Sequence, residues 1–281
     1  MTATPLIGAG FRPELPGLFN DPAAAGIDVA ELIADRYFAA EGFNRAWELD
    51  LLREHQVPTV IHGLSGNAAS ATGPTREYLA TIRTLADAVD CIAYSDHLAL
   101  TGTTERSLGH LAPNRFDDDL LAHVVTNIDL MADMTDRRPR LENLATTIMM
   151  SGSTYSVEEF YLRLLDASDR WDCLVDVTNL WINAQNRELD PYAFVDAIPP
   201  DRLRYVHLAG GHFMHGEWVD SHSHAVHDGA FDILEHLLTH AVPDVIIVER
   251  DTNWEGAEEQ VRADIARARS LVAASPLLVA A

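Results

Sequence analysis

Apolar positions in this chain follow two rhythms. Short β-rich runs recur at residues 6–10, 29–33, 59–62, 91–96, 140–143, 174–176, 204–209 and 245–249. Runs of this length and β-branched content, bounded by turn residues, predict strands buried on both faces. Between them, apolar residues return with helical spacing over 44–56, 77–88, 116–135, 157–169 and 231–240, and again after the last strand over 254–274. Two helix starts are marked by their chemistry. Asp190-Pro191 precedes a helix at 192–197, and Ser156 with Glu159 three residues on has the form of a capping box.

Strands that alternate with helices pair in parallel through crossover helices. Eight such units predict an α/β fold closed into a (β/α)8 TIM barrel, although the first connection, 11–26, is too rich in Pro for a full helix. The rival is an open, doubly wound sheet, but no G-x-G-x-x-G follows the first strand. Linkers are short, and no repeat, low-complexity tract or charge run divides the chain. The expectation is one TIM-barrel domain over residues 1–281.

Composition narrows the function classes. With 20 Lys+Arg against 43 Asp+Glu the formal charge is −23, a field that repels phosphates and anionic lipid and so argues against nucleic-acid and membrane partners. The two cysteines, Cys91 and Cys173, sit in apolar runs and read as buried free thiols of a reducing cytosol. No signal peptide opens the chain and no apolar stretch approaches the roughly 18 residues of a membrane span. A soluble, cytoplasmic protein is expected.

The chemistry lies where strands end. His62 closes the third run, His97 follows the fourth, Glu142 ends the fifth, Asp176 the sixth, His207 stands late in the seventh, and Glu249 ends the eighth. A lone His beside a strand is usually a satisfied core residue, and a lone Asp or Glu is usually a helix cap or ion-pair partner. Six strands that agree change that balance, because the carboxyl ends of barrel strands form the active face. Carboxylates gathered there are costly to bury unless cations neutralise them. A nitrogen- and oxygen-only ligand set suits iron, manganese or zinc and lacks the thiolates of a structural zinc site.

A second cluster follows the seventh strand, His207-Leu-Ala-Gly-Gly-His212 and then Asp220-Ser-His222-Ser-His224-Ala-Val-His227. If extended, Asp220, His222 and His224 share one face. Asp220 and His222 are the stronger ligand candidates, and the roles of His212, His215, His224 and His227 stay open. Asn179 is either a ligand or the cap of the next helix. Asn143, beside Glu142, has the same two alternatives, and Asp96, beside His97, is a candidate to support a ligand. Arg250 and Asp251 are expected to pair with each other. Together these donors exceed what one ion needs.

The segments Gly8-Ala-Gly-Phe-Arg-Pro, Ile61-His-Gly-Leu-Ser, Ser95-Asp-His-Leu, Leu141-Glu-Asn, Asp176-Val-Thr-Asn, Val206-His-Leu-Ala-Gly, Val219-Asp-Ser-His-Ser-His and Val248-Glu-Arg-Asp resemble the multinuclear non-heme iron-dependent oxidative enzymes, the family of the methanobactin biosynthesis oxidase. The likeness runs from about residue 6 to 253. It implies a xylose-isomerase-like barrel, two or three irons per chain (Fe2+/Fe3+), and dioxygen-dependent modification of a residue, often Cys, in a ribosomally made precursor peptide. It also implies a small partner protein that recognises the peptide leader. By motif, the implied metal positions are His62, His97, Glu142, Asp176, His207, Asp220, His222 and Glu249, with Asn179 as a possible addition. The chain departs from the family pattern at Ala-Gly-Gly-His212, where one glycine is usual, and at Ala225-Val-His227, where proline is common.

Two other classes remain. The same ligands would serve a redox-inert divalent-metal barrel, a sugar isomerase or phosphodiesterase, although the chain is rich in Arg and poor in the Lys such an isomerase uses. A non-catalytic binding module has little use for clustered rim ligands.

Overall fold

Eight parallel strands close on themselves in the computed structural model, which describes residues 4–38, 46–103, 106–146, 148–187 and 189–279. They are β1 (Leu6–Gly10), β2 (Val29–Ile33), β3 (Thr59–Gly63), β4 (Ala93–His97), β5 (Arg140–Glu142), β6 (Asp172–Asp176), β7 (Leu203–Ala209) and β8 (Val245–Glu249). Each pairs with its neighbour in chain order, and β8 returns to β1 through Leu6↔Val245 and Ala9↔Val248. Helices cover the outside. Their faces follow the predicted spacing: over Arg76–Ala88 the buried residues are Tyr78, Leu79, Ile82, Leu85 and Ala86, one stripe of an amphipathic helix. Ser156 accepts a hydrogen bond from the Glu159 amide, and Asp190 caps Pro191–Ala197 through the amides of Tyr192 and Ala193. The Pro-rich first connection is two single-turn helices, Pro16–Phe19 and Pro22–Ala25.

Several boundaries differ from expectation. The fourth strand starts at Ala93 and leaves Cys91 ahead of it, half-buried, whereas Cys173 is buried within β6. The predicted helix from 44 is helical over Ala46–Glu54, and its first two residues lie outside the described residues. Two hairpins were not anticipated, Leu100–Gly102 with Ser107–Ala112 and His212–Met214 with Glu217–Val219. Both are short, largely exposed ribbons whose apolar alternation is too brief to register. Among the described residues no helix is long and apolar enough to cross a membrane.

The barrel interior explains where the site falls. Val29, Val60, Ala93, Leu174, Tyr205, Val245 and Ile247 form a buried cluster apart from the core between barrel and helices. Two residues further along these strands come Glu31, His62, Ser95, Asp176, His207 and Glu249. Side chains two apart on a strand share a face, so an apolar floor is followed by a polar layer at the carboxyl end. The same step leads from Arg140 to Glu142 and from Ser95 to His97.

Candidate metal centre

Glu142 is the hub. Its Oε2 lies 3.4 Å from His62 Nε2, 3.3 Å from His97 Nε2 and 3.6 Å from His207 Nδ1. It is nevertheless buried with no aligned hydrogen bond among the described residues, as are Asp176 Oδ2 and Asn179 Oδ1. Buried polar atoms are ordinarily satisfied, so converging atoms left without partners fit a place for cations. The donors fall into overlapping groups whose ligand atoms lie within 4.8 Å of one another: His62, His97 and Glu142; Glu142, Asp176 and His207; Asp176, His222 and Glu249. Glu142 joins the first to the second and Asp176 joins the second to the third, which is how bridging carboxylates are disposed. Asp220 flanks the last group, with Oδ1 2.8 Å from His222 Nε2.

Each imidazole is held by its other nitrogen. His62 Nδ1 meets Ser95 Oγ at 2.9 Å, His97 Nδ1 donates to the Gly63 carbonyl at 3.1 Å, and His222 Nδ1 meets Asp251 Oδ2 at 2.9 Å. His207 Nε2 meets Glu31 Oε2 at 2.9 Å. Such partners fix the orientation of an imidazole and which of its nitrogens is left free. Buried Arg12, from the first-strand motif, donates through Nε to Asp251 at 2.7 Å and steadies the third of these contacts. The expected Arg250–Asp251 pair does not form, because successive residues leave the strand in opposite directions. Asp251 turns to Arg12 and His222, while Arg250 donates to the Asn253 carbonyl and to Gln260.

The charges press on one another. Burial, with His97 and His207, holds the His62 imidazole well below its usual range. Burial, with Glu142 and Asp220, pushes the Asp176 carboxyl well above its own. Glu249 goes the other way: burial opposes its charge, but His207 and His222 outweigh that and hold it well below the usual carboxylate range.

The supporting residues act on the backbone. Asn143 Oδ1 accepts from the Asp176 amide at 2.9 Å and its Nδ2 donates to the Asp176 carbonyl at 3.1 Å, which locks β5 to β6. Asp96 accepts from the hydroxyls of Tyr78 and Tyr94 and from the amides of Gly66 and His97, and burial pushes its carboxyl up to about 6. It therefore fixes the β3 and β4 ends rather than the His97 ring. Asn179 does not cap a helix. It stands inside Val177–Asn186, which Asp176 caps through the Asn179 amide at 2.7 Å. Asp176 thus spends one oxygen on the cap and leaves the other for the site.

The loop residues divide. His222 has a positive φ of 48°, so the segment is not extended and His224 does not share its face. His224 is exposed, its Nδ1 on Ser223, and His212 meets Ser221. His215 sits exposed at a hairpin turn, and His227 donates to the Gly211 carbonyl beside Trp181. None of these four belongs to the groups above. Glu31 was missed. It is fully buried in the middle of β2 and groups with His62 and His207. The available signal was an acidic residue inside the apolar run Val-Ala-Glu-Leu-Ile.

The donors open upward into a cavity of about 900 Å³. Its walls include Leu64, Leu111, Leu144, Ile182 and Trp218 on the apolar side, with Arg12, Asp35 and Arg36 among the charged residues. Residues 6–273 match the family model described as RiPP precursor modification enzyme MbnB/TglH/ChrH. The chain belongs to this family. Its curated relatives include the UPF0276 protein of Caulobacter vibrioides, 30% identical over 96% of each chain, and that of Acaryochloris marina, 29% identical over 90% of each. Among solved structures, a D-allulose 3-epimerase from Methylomonas sp. has a TM-score of 0.59 at 16% identity, covering 98% of this chain and 99% of that one. A putative xylose isomerase from Rhodospirillum rubrum has a TM-score of 0.59 at 16% identity, covering 97% of this chain and all of the other. Those likenesses establish the xylose-isomerase-like barrel. This member of the precursor-modification family therefore sets its candidate metal centre at the carboxyl end of a TIM barrel, beneath an open mouth.

Proposed function

We propose that the chain is a cytoplasmic oxidase that uses two or three irons and dioxygen to modify a residue, often Cys in this family, of a ribosomally made precursor peptide. The observation that carries the reading is the run of three donor groups joined by Glu142 and Asp176, within a chain whose family acts on such precursors. The proposed ligands are His62, His97, Glu142, Asp176, Asn179, His207, Asp220, His222 and Glu249. Imidazole, carboxylate and amide oxygen donors without thiolate suit iron. Bound there, iron would supply the redox change and the activation of dioxygen that side chains alone lack.

The protein's own residues do the rest. Ser95, Gly63, Glu31 and Asp251 hold the four rings in place. The cavity of about 900 Å³ has room for a peptide side chain, and Leu144, Ile182 and Trp218 give it an apolar wall. A small protein that recognises the peptide leader completes the system. The test is to incubate the iron-loaded protein, with that partner, and a ribosomally made precursor peptide of this family, while recording oxygen uptake and peptide mass. The expected result is a mass change in step with oxygen consumed. Full conversion under strict anaerobiosis would defeat the reading and favour a redox-inert metalloenzyme.

A further inference from the structure

We propose that Glu31 is a positioning residue that fixes the His207 tautomer and so delivers Nδ1, rather than Nε2, to the metal centre. The inference rests on the metal-centre reading above and adds a residue to it. Glu31 and His207 are both fully buried, on β2 and β7, across the barrel interior from one another. Glu31 Oε2 takes two contacts, the Tyr205 hydroxyl at 2.5 Å and His207 Nε2 at 2.9 Å. The phenol occupies one lone pair of Oε2 as a donor, and the other accepts from His207 Nε2–H. A neutral imidazole protonated at Nε2 has its free lone pair on Nδ1. That nitrogen faces the site, 3.0 Å from Glu249 Oε2 and 3.6 Å from Glu142 Oε2, without an aligned hydrogen bond.

Tyr205 makes the arrangement stiff. It belongs to the apolar floor of the barrel, two residues before His207 on the same inward face, so the groups that hold and receive the ring are anchored in one packed layer. Glu31 Oε1 is buried without a partner among the described residues. A carboxylate that served only packing would gain nothing from the resulting desolvation, whereas one that orients a ligand and increases its basicity has a function there.

Two measurements on the full chain test this. In Glu31→Gln the amide oxygen can still accept from Tyr205 and His207, but the charge is gone. Competition with a chelator should show metal affinity lower by about 10- to 100-fold, the range for lost ring-orienting partners. The metal number at saturation should be unchanged, and the metal-free variant should melt no lower than wild type. Unchanged affinity would overturn the proposal, and loss of an ion at saturating metal would make Glu31 a ligand instead. The second measurement needs no variant: NMR of 15N-histidine-labelled wild type loaded with zinc should show His207 protonated at Nε2 and metal-bound through Nδ1. Metal on Nε2 would overturn the proposal. Failure of wild type to bind metal at all would instead defeat the metal-centre reading.

Discussion

Replacing Glu142 with Ala is expected to remove at least one ion per chain and to lower peptide turnover at least about 100-fold. Glu142 Oε2 lies within 3.6 Å of nitrogens from His62, His97 and His207, and the carboxylate belongs to two of the three joined donor groups. On the proposed ligand assignment, its loss takes charge compensation from two adjacent cation positions at once. Breaking a buried charge interaction from one side costs about 3–5 kcal/mol, and each 1.4 kcal/mol is about tenfold in affinity. The control is His215→Ala, at an exposed hairpin turn. A surface change away from any packed feature is worth within about 0.5 kcal/mol, so metal content and turnover should stay within about twofold of wild type. Elemental analysis and a turnover assay on both variants check the pair. Full metal and activity in Glu142→Ala would remove the hub from the account.

Zinc in place of iron is expected to leave the protein folded and loaded but inactive. The donor set accepts zinc as readily as iron, since both take imidazole and carboxylate, so loading should not distinguish them. Chemistry should, because zinc has no accessible redox change. A metal acting only as a Lewis acid or template would tolerate the exchange. Measured on the same peptide with matched metal occupancy, turnover by the zinc form should fall to background. Turnover by zinc comparable to that by iron would reverse the assignment in favour of the isomerase or phosphodiesterase class.

Much of this site is legible in the chain because a barrel turns strand ends into a common rim. His62, His97, Glu142, Asp176 and Glu249 could each be found by asking what ends a strand-like run, and His207 by its place late in one; the structure brings all six together. Glu31 escaped that question because it sits in mid-strand. It reaches the site through period-two alternation, two residues beyond Val29 of the apolar floor. His224, whose role the sequence leaves open, is the opposite case. Alternation holds in a strand, but the positive φ at His222 breaks it in the loop. Asn179 shows a third limit. Whether it capped a helix or faced the site turned on where that helix began, and only the Asp176 cap decides this. Likewise, Arg250 and Asp251 are neighbours in sequence, yet Asp251 finds its partner 239 residues away in Arg12.

The most direct test of the account is the number of metal ions per chain. Protein produced with ample iron and purified without exposure to air should be analysed for metal and for protein concentration on the same sample. Three donor groups joined through Glu142 and Asp176 predict two or three ions per chain, and the proposed oxidase reading makes them iron in protein prepared this way. One ion per chain or fewer would contradict the multinuclear centre.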